Sequence, residues 1–308
     1  MSYNEKLGGF ATPISIEPSS TSYFSDDADT LDPRLFVGTS MVGSVRNRVL
    51  MVLFDHLRKH YYNPEAYIQV WIAGSGVSYQ WAAHRDPGDL DCLVGVDYIA
   101  FRRANAAYEH FSNQDISDML NEDFRNELWP QTENFMDSYE LTFYVNVNSD
   151  IRAIKPYAAY SLTNDGWTVE PSHMQAPDNP KWKLKSDNDL KMGELIVDRY
   201  SEALAWLSTS NAANRITAEA QLKMASDQGG ALFDDIHGGR KFAFSQSGDG
   251  YADYNNYRWQ AGKKSGLIPA LRALKDISEK SRKEFDRQTY GVEFPDTKTL
   301  IRRASQRN

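Results

Sequence analysis

Two carboxylates stand two residues apart in Asp89-Leu90-Asp91, and thirteen residues (76–88) separate them from the dipeptide Gly74-Ser75. Leu90, Cys92 and Val94 alternate with Asp89, Asp91 and Leu93, which is strand periodicity, and alternate strand residues share a face, so both acids project from the same side. Carboxylates that close repel and raise one another's pKa unless a cation lies between them. Mg²⁺ is the natural choice, with Mn²⁺ second, because hard oxygen ligands and substrate phosphates suit it. Gly74 lets the backbone approach a phosphate closely. Ser75 offers a hydroxyl and an N–H where the chain is expected to turn into a helix, whose N-terminus favours anions. In the loop before the acids, Arg85 suits a phosphate, whereas His84 reads as a surface residue and Asp86 as a turn former ahead of Pro87-Gly88.

These residues need strands to hold them. Ile68, Val70 and Ile72 alternate with Gln69 and Trp71, predicting a strand that runs directly into Gly74-Ser75-Gly76. Before it, Val45, Val49, Val52, Leu53 and Leu57 recur at three- and four-residue spacing, predicting a one-faced helix that ends near Asn63-Pro64. Helices are expected near Ile99–Phe111 and Gln114–Leu128, followed by a strand over Tyr139–Val147 rich in β-branched and aromatic residues. Thr163-Asn-Asp-Gly166 predicts a hairpin turn between Ala153–Leu162 and Trp167–Val169.

A strand carrying Gly-Ser, followed by an Asp-x-Asp strand, resembles the signature of the DNA polymerase β-like nucleotidyltransferase superfamily. The resemblance covers Ile68–Val96 closely. It implies an α+β fold in which a nucleotidyltransferase-like mixed sheet flanked by helices precedes a mainly helical C-terminal domain. It also implies a third carboxylate on a neighbouring strand. Glu140, which shares a strand face with Thr142, is the better candidate, and Asp150 in Asn148-Ser-Asp-Ile-Arg is the runner-up. The activity implied is transfer of NMP from an NTP to a hydroxyl acceptor with release of pyrophosphate, assisted by two metal ions held by Asp89, Asp91 and the third acid. Ser75 and nearby N–H groups would hold the β- and γ-phosphates, with Arg85 neutralising charge. The alternative is a binding module of the same fold that holds nucleotide or a partner without turnover.

The expected organisation is an irregular arm over 1–40, a catalytic domain over 41–170, a Pro-rich linker over 171–188 and a helical domain with a basic tail over 189–308. Asp234–Gln260, crowded with Gly, aromatics, Arg240, Lys241 and Arg258, reads as an irregular stretch. Its rings and cations either face a nucleotide, with Arg240 and Lys241 at phosphates, or pack onto the helical domain.

The net charge of −8 argues against a protein that coats nucleic acid. Residues 262–308 nevertheless carry 12 Lys/Arg against 6 Asp/Glu, leaving 22 against 36 in the rest. A polyanionic acceptor would therefore meet the C-terminal end, where the charges read equally as a solvated helix face. The acceptor class stays open among nucleotide, RNA, small molecule and protein. A single cysteine, Cys92, excludes an intrachain disulfide and a cysteine zinc cluster, and its place in a strand reads as buried and inert. His237 has no partner at metal-ligand spacing. No Walker loop or Gly-x-Ser-x-Gly elbow is present, and no apolar run reaches the ~18 residues of a membrane span, so the expected setting is cytoplasmic and away from membrane.

Overall fold

The computed structural model describes residues 12–18, 23–24, 27–81, 88–147, 151–152, 154–209, 211–291 and 297–305. The chain divides into two units: Asp26–Met174 with Pro295–Asn308, and Met1–Ser25 with Gln175–Phe294. The fold is α+β, with a mixed five-strand sheet and its helices in the N-terminal half and a mostly helical C-terminal region.

The sheet unit opens with a two-residue hairpin, β1 (Phe36–Val37) and β2 (Ser40–Met41). Helix α1 (Gly43–His60) follows, and its apolar spacing has the predicted consequence: Val45, Val49, Leu53 and Leu57 are buried. Each such fully buried aliphatic side chain contributes about 2 kcal/mol. Strand β3 (Ile68–Ala73) pairs antiparallel with β4 (Gly88–Val96), register partners including Ile72 with Cys92 and Ala73 with Asp91. Helix α2 (Tyr98–Ala104) is capped by the Asp97 carboxylate, which accepts from the Ile99 and Ala100 N–H groups. Ser112 and Asp115 form a reciprocal capping box at α3 (Asn113–Asp123). That helix widens into a π-helical turn over Phe124–Leu128 and continues as α4 (Trp129–Thr132). Pro130 supplies a local cause, because it cannot donate to the carbonyl four residues back and its ring crowds that turn.

Strand β5 (Tyr139–Val145) then pairs parallel with β4, while β6 (Ala159–Ser161) and β7 (Gly166–Val169) form the predicted hairpin on the other side of β3. The strand order is β5-β4-β3-β6-β7. One sheet face, with Val70, Ile72, Leu90, Cys92, Val94, Leu141 and Phe143, joins the core built by α1 and α3. On the opposite face a smaller cluster of Trp71, Ala73, Leu93, Ile151, Ile154 and Ala159 is buried.

The helical unit contains α5 (Pro180–Thr209), α6 (Ala212–Ala243), α7 (Tyr254–Ser265) and α8 (Leu267–Tyr290). Its core includes Tyr200, Leu222, Ile236, Leu271 and Leu274, together with Ile14 from the N-terminal segment. Among the described residues no helix is long and apolar enough to cross a membrane.

Four features differ from expectation. Asp234–Gln260 is mostly helix: α6 runs through Ala243 and α7 begins at Tyr254, leaving 244–253 between them. Gly239, one of the glycines that suggested a loop, is a packing site inside α6, since a Cβ on it would overlap Asn255 of α7. The arm is shared between units, with Ile14 in the helical core and Leu31, Leu35 and Phe36 in the sheet core. The basic tail carries α9 (Thr297–Ser305), which belongs to the sheet unit, contacts α3 and buries Ile301. The expected 171–188 linker is likewise shortened, because α5 starts at Pro180.

Candidate active site

The parallel β4–β5 ladder aligns Asp89 with Glu140 and Asp91 with Thr142. Registered partners on adjacent strands point to the same face, so Asp89, Asp91 and Glu140 form one acidic surface at the N-terminal ends of β4 and β5. It is the face opposite the α1–α3 core, and all three acids are partly buried. The Thr142 hydroxyl donates to Asp91 Oδ1 at 3.1 Å. The half-exposed Trp129 indole N–H donates to Glu140 Oε1, also at 3.1 Å. Both bonds orient a carboxylate through a group that sequence reading left unassigned. Trp129 lies in α4, and only the return of the chain into β5 brings it to Glu140.

Gly74 closes the site from β3. Its φ of +93° with ψ of −159° is backbone that essentially only glycine adopts, and its N–H donates to Ala158 O at 3.0 Å. A Cβ there would stand 3.6 Å from Asp91 Oδ2, so the bend lies against the second carboxylate. Ser75 is exposed at the start of a three-residue 3₁₀ turn, Ser75–Val77. This corrects the expectation of a helix at Ser75: the chain is extended again at Ser78 (φ −118°, ψ 178°), so no helix dipole stands behind the serine. Gly76, which the sequence reading passed over, has the tightest constraint. A Cβ on it would overlap the Asp89 carbonyl oxygen and press on Leu90. The glycine thus lets the turn after β3 lie directly on the start of the Asp-x-Asp strand. The signal was present as the second glycine of Gly-Ser-Gly.

The segment 27–36 straps this end of the sheet. Ala28 N–H donates to Tyr79 O at 2.7 Å, and Trp81 Nε1–H donates to Thr30 O at 2.8 Å. The buried Asp32 accepts from the Tyr139 phenol at 2.8 Å and from Arg34 Nε and Nη2 at 3.0 and 2.7 Å. Arg34 also covers the Tyr139 ring at 4.7 Å. Burial first, then the Asp32 carboxylate, push the Tyr139 phenol well above its ordinary range, so it stays a proton donor. Tyr139 is the register partner of Gly88, and this cluster therefore anchors the residues just before Asp89 and Glu140. Asp32 and Arg34 carry no sequence signal for the role, being distant in the chain from both strands.

Arg85, with His84 and Asp86, lies outside the described residues, as does Asp150. Arg240 and Lys241 belong to the last turn of α6 in the helical unit. Arg240 sits 4.8 Å over the buried Trp259 ring, which also meets Phe233 and His237, and Lys241 is exposed. Arg258 pairs with Asp189 and Asp235. These contacts hold the helical unit together. Cys92 is fully buried on the core face; burial, and secondarily the Asp91 charge, push its thiol well above the usual range, as expected for an inert cysteine.

The three carboxylates share one face of the sheet, and oxygen donors are the kind that a hard metal ion takes. No protein-family model, no curated protein and no solved structure matches the chain.

Proposed function

We propose that this chain is a metal-dependent nucleotidyltransferase with a nucleotidyltransferase-like sheet, transferring NMP from an NTP to a hydroxyl acceptor with release of pyrophosphate. The observation that carries the reading is the register alignment of Asp89 with Glu140, with Asp91 on the same face beneath Gly74. A surface used only for solubility has no need of three acids on one sheet face beside a bend that only glycine adopts.

In this reading Asp89 and Asp91 hold Mg²⁺, or Mn²⁺, against the triphosphate, and Glu140 completes the donor set. Bound metal would neutralise phosphate charge and lower the pKa of the acceptor hydroxyl. Gly74 and Gly76 put no side chain of their own in the way of a phosphate, and the Ser75 hydroxyl and N–H would bind it. Trp129 and Thr142 each give one hydrogen bond to these carboxylates, on Glu140 and Asp91 respectively. The acceptor oxygen bonds to the α-phosphorus, the bond to the bridging oxygen breaks, and pyrophosphate carries that electron pair away while the acceptor gives up its proton.

The test is incubation with α-labelled NTPs and Mg²⁺ or Mn²⁺, alongside thermal shift. A specific nucleotide at 100 times its Kd stabilises by roughly 2.7 kcal/mol. Wild-type protein should bind and turn over an NTP, and Asp89→Asn or Asp91→Asn should lower turnover by about 100-fold or more. No binding, or unchanged behaviour of both variants, sinks the proposal. Binding without turnover to any acceptor class identifies the non-catalytic module instead.

A further inference from the structure

We propose that the sheet unit carries a second, transition-metal site, matched best by Zn²⁺, formed by His56 and His60 of α1 with Asp123 and Glu127 of α3 and its π-helical turn. One ligand atom from each of the four lies within 4.8 Å of all the others. It is independent of the carboxylates of β4 and β5 and of the activity proposed for them.

The arrangement comes from two helical i,i+4 pairs meeting face to face. Residues four apart on a helix lie on one side, so α1 presents two imidazoles and the α3 segment two carboxylates. The lower pair is buried: His56 is 3% exposed and Asp123 0%. The upper pair, His60 and Glu127, is 20% and 41% exposed, which gives an ion a route in.

The His56 ring is the strongest pointer to a ligand. Its Nε2 is buried without a hydrogen bond, although Asp123 Oδ2 stands only 3.6 Å away. That separation is too long for a hydrogen bond. It is the span expected of two ligand atoms each about 2 Å from one shared cation. A buried, unsatisfied donor or acceptor is costly, and coordination through Nε2 removes that cost. Asp123 Oδ2 also accepts from the Tyr61 phenol at 3.2 Å, the outer-shell bond that orients a ligating carboxylate. His60 Nε2 lies 3.0 Å from Glu127 Oε2 on the solvent side. The solvent-side pair, His60 and Glu127, is the part of the cluster free to draw in by the roughly 1 Å that four-coordinate binding requires.

The donor chemistry selects the ion. Two imidazoles disfavour Mg²⁺ and Ca²⁺, which take oxygen ligands, whereas Zn²⁺ binds imidazole and carboxylate together in four-coordinate sites. With all four positions filled by protein, the site is structural: it cross-links α1 to α3, the two helices that cover the apolar face of the sheet.

Tag-free full-length protein should be purified and analysed for metals, then stripped with chelator and titrated with Zn²⁺ and with Co²⁺. About one equivalent of transition metal per chain is expected. The chelated protein should melt at lower temperature and recover on adding Zn²⁺, and Co²⁺ should give the intense visible absorption of a four-coordinate site. His60→Ala and Glu127→Gln remove the solvent-side ligands without emptying the core, so they should stay folded by circular dichroism. Each should lose metal affinity by about 10-fold or more. Asp89→Asn should keep the metal. The proposal is overturned if stripped wild-type protein takes up no Zn²⁺ or Co²⁺, or if the folded His60→Ala/Glu127→Gln double variant binds either ion as tightly as wild type.

Discussion

Glu140 is the direct register partner of Asp89 across the parallel β4–β5 ladder, and its Oε1 accepts the indole N–H of Trp129 at 3.1 Å. A backbone ladder thus sets Glu140 beside Asp89, and a tryptophan from the preceding helix holds one of its carboxylate oxygens. Trp129→Phe keeps most of the ring and removes the donor. A charge-assisted bond to a partly exposed carboxylate is worth about 1 kcal/mol, so metal-dependent turnover should fall by about fivefold with little change in melting temperature. Unchanged turnover in Trp129→Phe would show that Glu140 needs no such support.

Gly76→Ala places a methyl where the Asp89 carbonyl oxygen already stands. Overpacking against backbone that cannot give way should destabilise the sheet unit by about 2 kcal/mol in urea denaturation. Gly166→Ala is the control, since a Cβ there meets nothing within 4 Å. Equal effects of the two would argue that the turn is not pressed against β4.

His237 is held neutral. Burial first, then Lys241, Arg240, Arg272 and Lys275, lower its pKa from 6.5 to about 4. Above pH 6.5 the imidazole is neutral in both folded and unfolded chains and contributes no pH dependence. Between 6.5 and about 4 the unfolded chain takes up the proton and the folded chain does not, so stability falls as pH falls; below about 4 the loss levels off. Partial exposure of the ring limits the loss to the order of 1 kcal/mol. Denaturation of wild type and His237→Gln at pH 7.5 and 4.5 should diverge only at the lower pH, and an NMR titration should find the His237 midpoint well below that of an ordinary histidine.

Cys92 should resist thiol reagents in the folded protein and react fully in denaturant, because its thiol is buried and its pKa raised. Rapid labelling under native conditions would mean that β4 opens readily.

Ile301→Ala should cost about 2 kcal/mol, since Ile301 is buried in the main core of the sheet unit. Arg303→Ala, at an exposed position on the same helix, should be close to neutral in stability. Deletion of the C-terminal basic residues as a test of acceptor binding therefore also removes core packing, and melting curves must accompany it. If Arg303→Ala lowered activity on a polyanionic acceptor at unchanged melting temperature, the charge would be the cause.

Much of the acidic face was legible in the chain. Period-two alternation puts Asp89 with Asp91, and the β-branched, aromatic run after Tyr139 makes Glu140 a strand residue. What alternation cannot say is which strands are neighbours, or in which register; a shift of one residue between β4 and β5 would turn Glu140 to the other face. Glycine misled for a related reason. Gly74 and Gly76 mark a tight bend, whereas Gly239, in the stretch read as irregular, marks where α7 approaches α6, and the residue type is the same in both uses.

By itself, then, the sequence determined the strands β3, β4 and β5 and the helix α1, the shared side of Asp89 and Asp91, and the inertness of Cys92, because these follow from local periodicity and residue chemistry. Only the tertiary structure decided that Trp129 orients Glu140, that Asp32 anchors Tyr139, that α9 packs on α3, and that His56 and His60 meet Asp123 and Glu127. Each of those depends on contacts between segments far apart in the chain. Their pairing is set by the burial of whole helix and sheet faces, which no window of neighbouring residues encodes.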